Sequence, residues 1–317
     1  VEIRLAADVF GESPDSLIHI LRLFRCFTEE RHSWITDPAV IEAAEHYFQV
    51  HAPKHSASVA ALGRKAVVDV MWSSPSQGRA PYEVPLIDLE DATDDLCCPA
   101  VLVVEDLVND RHFVDALVDV FRASRISKAL ERDWLAVRHS GGSRLELVAM
   151  DEVGKFKIKP RVVALLDSDR LNPGEKTLSH SKANEMRAAG ILVHVLELRE
   201  AENYAPNRIL ALTGKPGITS TKLKNLKKLN SDQRGYFDMK KGFAVKNSDP
   251  AIKPTQLALY AGISPVVVAA LGEGFGVNIL ECLHRYRAGL KVEEFDRIGA
   301  GVAQEIETLL SVIESVV

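Results

Sequence analysis

The chain has 317 residues, 46% of them hydrophobic and 26% charged, with a formal net charge of −5. This is the composition of a soluble globular protein with length for a sizeable core and two or three sub-domains, and it excludes a disordered or collagen-like chain. It also excludes a uniformly basic nucleic-acid binder, so any nucleic-acid contact has to come from a local patch.

Residues 1–96 read as a mostly helical lobe. The stretch SPDSLIHILRLFRCFTEE offers Ser13 or Asp15 as a cap and sets Leu17, Ile20, Leu21 and Phe24 at helical spacing. DPAVIEAAEHYFQVHA repeats the pattern, with Asp37 as cap and Pro38 in the first turn. SQGRAPYEVP reads as a loop, and the acidic DLEDATDD as a linker or a cap. Nothing in this lobe carries evident chemistry.

The period changes in the middle region, residues 97–212. PAVLVVED is a short, valine-rich apolar run and predicts a buried strand. DRHFVDALVDVFRAS puts Phe113, Leu117, Val120 and Phe121 on one helical face. DWLAVRHSGG reads as a second strand ending at Gly141 and Gly142, and RVVALLDSD as a third. SHSKANEMRAAG is a helix stopped by Gly190, and ILVHVLEL a fourth strand. The alternation predicts an α/β fold with a mainly parallel sheet covered on both faces. Sites in such sheets form outside the carboxyl ends of the strands.

Residues 213–317 begin with a basic segment and continue as a helical region. Lys215, Lys222, Lys224, Lys227, Lys228, Arg234, Lys240, Lys241 and Lys246 stand there against only Asp232 and Asp238. Further on, TQLALYAGISPVVVAALGEG has helix-turn-helix spacing, with Ala258, Gly262, Val268 and Leu271 at the expected places. Its second helix lacks any Arg, Lys, Asn or Gln to read base edges, so a buried αα-hairpin is expected instead of a DNA-binding regulator.

Three middle strands end in acids: Glu105 with Asp110 after it, Asp167 with Asp169 after it, then Glu197, Glu200 and Glu202. One acid after a strand is ordinarily a cap or turn residue. Several strand tips side by side gather carboxylates that repel one another, and a divalent cation relieves the repulsion. Hard oxygen donors without a His or Cys cluster point to Mg²⁺ or Mn²⁺, one or two ions. The four cysteines, Cys26, Cys97, Cys98 and Cys282, form no CxxC, which argues against a zinc ribbon; they read as buried cytoplasmic thiols.

A glutamate closing one strand followed by a DxD closing a later one resembles the TOPRIM domain, shared by primases, topoisomerases and OLD-type nucleases. The set looks closest to OLD-like nucleases and related anti-phage TOPRIM effectors. It comprises VVEDLVNDRHFVDAL with Glu105, Asp110 and Phe113, LLDSD with Asp167 and Asp169, and REAENYAP with Glu202, Asn203 and Tyr204. The resemblance covers residues 99–206. The chain departs from the pattern at Asp106, where the family has glycine, and by one extra residue before Asp110.

The resemblance implies metal-dependent phosphodiester cleavage of DNA or RNA. Glu105, Asp110, Asp167, Asp169 and Glu202 would hold the metal, with Glu105 essential and Lys240 or Lys241 offsetting phosphate charge. Lys215, Lys222, Lys224, Lys227 and Lys228 would track a nucleic-acid backbone. It further implies an effector of bacterial anti-phage defence. The chain has no GxxxxGK[ST] phosphate loop, so control would come from a separate ABC-type ATPase partner. The alternatives are a non-catalytic TOPRIM scaffold and the helix-turn-helix regulator. No apolar run reaches membrane-spanning length and the first residues lack a signal-peptide pattern, so a cytoplasmic protein is expected, with a homo-oligomer allowed. The chain opens at Val1 in place of an initiator methionine, which leaves room for residues ahead of it.

Overall fold

Short valine- and leucine-rich segments with no polar residue between them have no solvated face, so they form a sheet only if both sides are covered. That is the organising element of the computed structural model, which describes residues 1–72, 80–141, 144–245 and 249–317. Gly142, Lys246 and residues 76–79 of the SQGR loop lie outside the described residues.

A first unit comprises β1 (Glu2–Leu5), α1 (Leu17–Thr28), β2 (Ser33–Trp34), α2 (Pro38–His51), α3 (Pro53–Trp72), β3 (Tyr82–Val84) and α4 (Leu89–Cys97). The central unit has β4 (Ala100–Val104), α5 (Asn109–Val120), α6 (Ser124–Glu131), β5 (Leu135–His139), α7 (Leu145–Val153), β6 (Val162–Leu166), α8 (Leu178–Ala188) and β7 (Leu192–Val195). Mostly short helices complete the chain: α9 (Asn207–Leu210), α10 (Pro216–Leu226), α11 (Ser231–Gly235), α12 (Pro265–Ala270), α13 (Ile279–Tyr286), α14 (Glu293–Asp296) and α15 (Val302–Glu314).

The central sheet is parallel throughout, in the order β5-β4-β6-β7. All five residues of β4 and of β6 are buried, and alternate ones serve opposite faces. Ala100, Leu102 and Val104 pack with Phe113 and Leu117 of α5 and with the C-terminal helices, including Ile279, Leu283, Ile306 and Leu310. Val101, Val103, Ala164 and Leu166 pack with Leu145 and Ala149 of α7 and Met186 of α8. The C-terminal helices thus share one core with a face of the sheet. The left-handed Gly190 (φ +81°) ends the α8 run as the sequence indicates. Helix α7, absent from the sequence reading, is the crossover that parallel strands β5 and β6 require. Among the described residues no helix is long and apolar enough to cross a membrane.

The first unit is mostly helical as expected, and two details differ. It holds a parallel sheet of its own, β2-β1-β3, whose strands of two to four residues are too short to leave a periodic signal. The acidic DLEDATDD stretch is a helix: Leu89, Ala92 and Leu96 of α4 point into the core at helical spacing, a signal overshadowed by the acids. Asp37 caps α2 as expected, accepting from the amides of Ala39 (3.0 Å) and Val40 (3.1 Å).

The αα-hairpin and the helix-turn-helix both fail. A single 3-10 turn, Pro254–Gln256, stands where the first helix was expected, and α12 has six residues. Val267, Val268 and Leu271 are buried, but Val266 is 71% exposed.

Candidate functional site

Parallel strands point their carboxyl ends the same way, so the residues just past β4, β6 and β7 meet at one sheet edge. Glu105 comes directly after β4 and is half-buried. The next residue, Asp106, binds back onto the start of α5: its carboxylate accepts from the amides of Val108 (2.8 Å) and Asn109 (3.1 Å). Asp106 does not have a positive φ, so the turn makes no demand for the family's glycine. Asp110, one turn on, accepts from the amides of Glu105 (3.0 Å) and Asp106 (2.9 Å) and thereby fixes the corner.

Asp167 comes directly after β6 and accepts from the Ala201 amide at 2.9 Å. Asp169 adopts the left-handed conformation (φ 55°), and its amide donates to the Arg199 carbonyl at 3.0 Å. Ser168 between them is buried and donates to the Leu198 carbonyl at 2.6 Å, which ties the DSD loop to the exit of β7. Thr177 donates to the Ser168 carbonyl (2.6 Å) and ties the same loop to the start of α8.

The ENY stretch divides its work. Glu202 is buried at the acid cluster. Asn203 donates to the carbonyls of Arg234 (3.1 Å) and Phe237 (2.9 Å). The Tyr204 hydroxyl donates to Glu305 of α15 at 2.6 Å and accepts from the Leu198 amide at 3.1 Å. The second Glu305 oxygen accepts from the Glu197 amide at 2.7 Å. One buried carboxylate of the last helix therefore pins both ends of the turn that carries Glu202.

The electrostatics reflect crowding. Burial, then the charges of Asp169 and Asp110, pushes Glu105 up to about 7. Burial pushes Asp110 up to about 6. Asp167 is half-buried and lies well above the usual carboxylate range, through burial and then through Asp110, Glu202, Glu200 and Glu105. Asp169, exposed at the rim of the cluster, and the buried Glu202 are also raised, partial burial leading for the first and burial for the second. The compensating cation is Lys240, whose Nζ lies 3.0 Å from Glu200 and 3.1 Å from Glu202. Despite its burial, these two carboxylates raise its pKa. Arg199 pairs with Glu200 and Asp238, each at 3.0 Å.

All five expected metal-ligand carboxylates thus fall at one edge. Of the two candidate lysines, Lys240 reaches them, while Lys241 is exposed and uses its backbone amide to cap against Asp238 (2.8 Å). In the basic segment Lys215, Lys224, Lys227 and Lys228 are exposed. Lys222 is partly buried and donates to the Gly274 carbonyl at 2.7 Å, and Arg234 is buried against Asn207 and Ala205, so both act inside the fold. Glu197 is exposed.

The sequence reading missed Glu200 as the partner of Lys240, and also Lys182 of α8, whose charge draws Glu105 downward and which pairs with Glu146 at 3.1 Å. Glu200 and Glu202 are alike in sequence, and Lys182 has no local mark.

The donor chemistry suits Mg²⁺ or Mn²⁺, since every candidate ligand is a hard carboxylate oxygen. As the side chains stand, no group of three or more His, Cys, Asp or Glu among the described residues is placed to hold an ion. Asp110 and Asp167 face backbone amides and Glu202 faces Lys240, so they would have to turn to meet one. Compared with protein-family models, with curated proteins and with solved structures, the chain has no match.

Proposed function

We propose that the chain is a Mg²⁺- or Mn²⁺-dependent nuclease that hydrolyses phosphodiester bonds. One observation carries this reading: five carboxylates converge at one edge of a parallel sheet, all held above their ordinary protonation range by burial and, for most of them, by one another. Such a cluster is poised to take up positive charge. Glu105, Asp110, Asp167, Asp169 and Glu202 would hold the ion. When bound, the metal supplies an activated water and neutralises the leaving oxygen. Lys240, released from Glu200 and Glu202, would face the scissile phosphate, and Lys215, Lys224, Lys227 and Lys228 would track the nucleic-acid backbone.

The TOPRIM resemblance extends the proposal to an anti-phage effector held in check by an ATPase partner, with a cytoplasmic site of action. The test is Glu105→Ala, assayed on DNA and RNA with manganese, with and without an ATPase encoded beside it. Displacing the attacking water by about 1 Å costs about a hundredfold in rate, so cleavage should drop at least that far. A folded variant that cleaves like the parent removes the nuclease reading.

A second reading, a non-catalytic scaffold, draws on Lys240: an internal cation bridging Glu200 and Glu202 can satisfy the cluster without metal. It predicts that manganese leaves the melting temperature unchanged.

A further inference from the structure

Away from the sheet edge, two of the four cysteines meet where the first unit joins the central one, with Cys98 next along the chain. Cys26 lies buried in α1, and Cys97 is the last residue of α4, half-buried. Their sulfurs are 3.7 Å apart, close enough to touch. The expectation that all four thiols are buried holds for Cys26 and Cys282 only, since Cys98 is exposed.

Two buried arginines close over this pair. Arg31 donates to the Cys97 carbonyl at 2.8 Å and to the Cys98 carbonyl. Arg161 donates to the carbonyls of Cys98, Asp95 (2.9 Å) and Leu96 (3.2 Å). These acceptors are neutral, and the Nε of each arginine has no hydrogen-bond partner. The positive charge they bring into the core is therefore not cancelled by those bonds. Burial lowers both guanidinium groups, Arg161 to about 9. Arg22, paired with Asp94 at 2.7 Å, adds a third positive charge beside Cys97. A thiolate at Cys97 is the natural counter-charge. The hydrogen bond from Cys26, with Arg22, Arg31 and Arg161, draws the Cys97 thiol down to about 6 against its burial, while Cys26 is driven upward. Cys282 has no such surroundings and burial raises it.

We propose that Cys97 and Cys26 form a hydroperoxide-sensitive dithiol, with Cys97 the attacking sulfur and Cys26 the resolving one. The Cys97 thiolate attacks the hydroperoxide: an S–O bond forms, the O–O bond breaks, and the departing oxygen takes a proton to leave as water or an alcohol. The Cys26 thiol then attacks the sulfenic sulfur. An S–S bond forms, the S–O bond breaks, and the Cys26 proton leaves with the hydroxyl as water. The two sulfurs lose two electrons and the hydroperoxide gains them. The product ties α1 to the end of α4, across 71 positions that include β2, α2, α3 and β3. It is independent of the nuclease reading.

The experiment takes the reduced full chain, adds hydrogen peroxide and maps the peptides by mass. The expected product links the peptides of Cys26 and Cys97 with loss of two hydrogens, before Cys282 changes, and persists in Cys98→Ser. In Cys26→Ser, dimedone should trap a sulfenic acid on Cys97; in Cys97→Ser, Cys26 should stay reduced. At pH 7 iodoacetamide should label Cys97 about tenfold faster than Cys282. The oxidised chain should melt on the order of 5 °C higher, because a long loop is closed. Oxidation reaching Cys98 first, a Cys26 that oxidises without Cys97, or equal labelling of Cys97 and Cys282 overturns the proposal.

Discussion

The protein holds two parallel sheets, and they differ in the residues that come after each strand. In the small sheet the next residues are Ala6, Ile35 and Pro85, and the first acids after β1 and β2 come three residues later and each accepts from backbone amides. Asp8 accepts from the Leu86 amide at 3.3 Å, and Asp37 caps α2. In the central sheet Glu105 and Asp167 stand directly at the tips of β4 and β6. An acid three residues past a strand has chain enough to turn toward a backbone amide, near in sequence for Asp37 and far for Asp8. An acid at the tip cannot retreat, so several tips confront their charges with one another. A parallel sheet is thus only a frame, and the distance from strand end to carboxylate decides whether the edge becomes a site.

The sharpest way to break this contrast is to compare Glu105→Ala with Asp8→Ala. On the proposed activity, the first should cost about a hundredfold or more in manganese-dependent cleavage, and the second should leave the rate unchanged. Equal rates in the two variants would dissolve the distinction.

Next in size is stabilisation by metal. Manganese at about a hundred times its dissociation constant should add about 2.7 kcal/mol, read as a higher melting temperature. The Asp167→Ala, Asp169→Ala double variant should lose that response, and the same shift in the double variant would move the ion elsewhere.

The pH profile of the metal-free chain comes third. Glu105 and Asp110 titrate at about 7 and about 6 when folded, above their ordinary values of 4.5 and 3.8. Below about pH 3 both states are protonated and their contribution is fully present. As pH rises the unfolded chain releases these protons first, so stability should fall from about pH 3 to about pH 7 and then level off. Glu105→Gln should flatten part of the slope in melting curves recorded with EDTA. A parent profile without that decline counts against the crowding.

The smallest effect belongs to the small sheet's side. Asp37→Ala should cost about 1 kcal/mol, the usual worth of a helix cap, while the manganese response stays intact. If the response goes too, the two units are coupled more tightly than their separate cores imply.

Segment length and locality decide how much of the molecule is legible in its sequence. Strands β4 and β6 are five-residue apolar runs between turn signals, and their terminal acids are visible beside them. β2 has two residues and β3 three, and α4 hides its core face among acids. Lys240 and Lys241 are neighbours on one turn, and only the approach of the Glu200–Glu202 turn distinguishes them. Glu305 lies 101 positions from Tyr204, beyond any local pattern.

That last contact sets an order in time. Synthesis delivers a chain from its N-terminus, so the residues bearing Glu105, Asp110, Asp167 and Asp169 leave the ribosome well before α15. The Tyr204 hydroxyl has no Glu305 to meet until residue 305 has emerged. The turn that presents Glu202 is therefore secured only after α15 has emerged, and until then the chain carries the acids without the clasp that completes their arrangement.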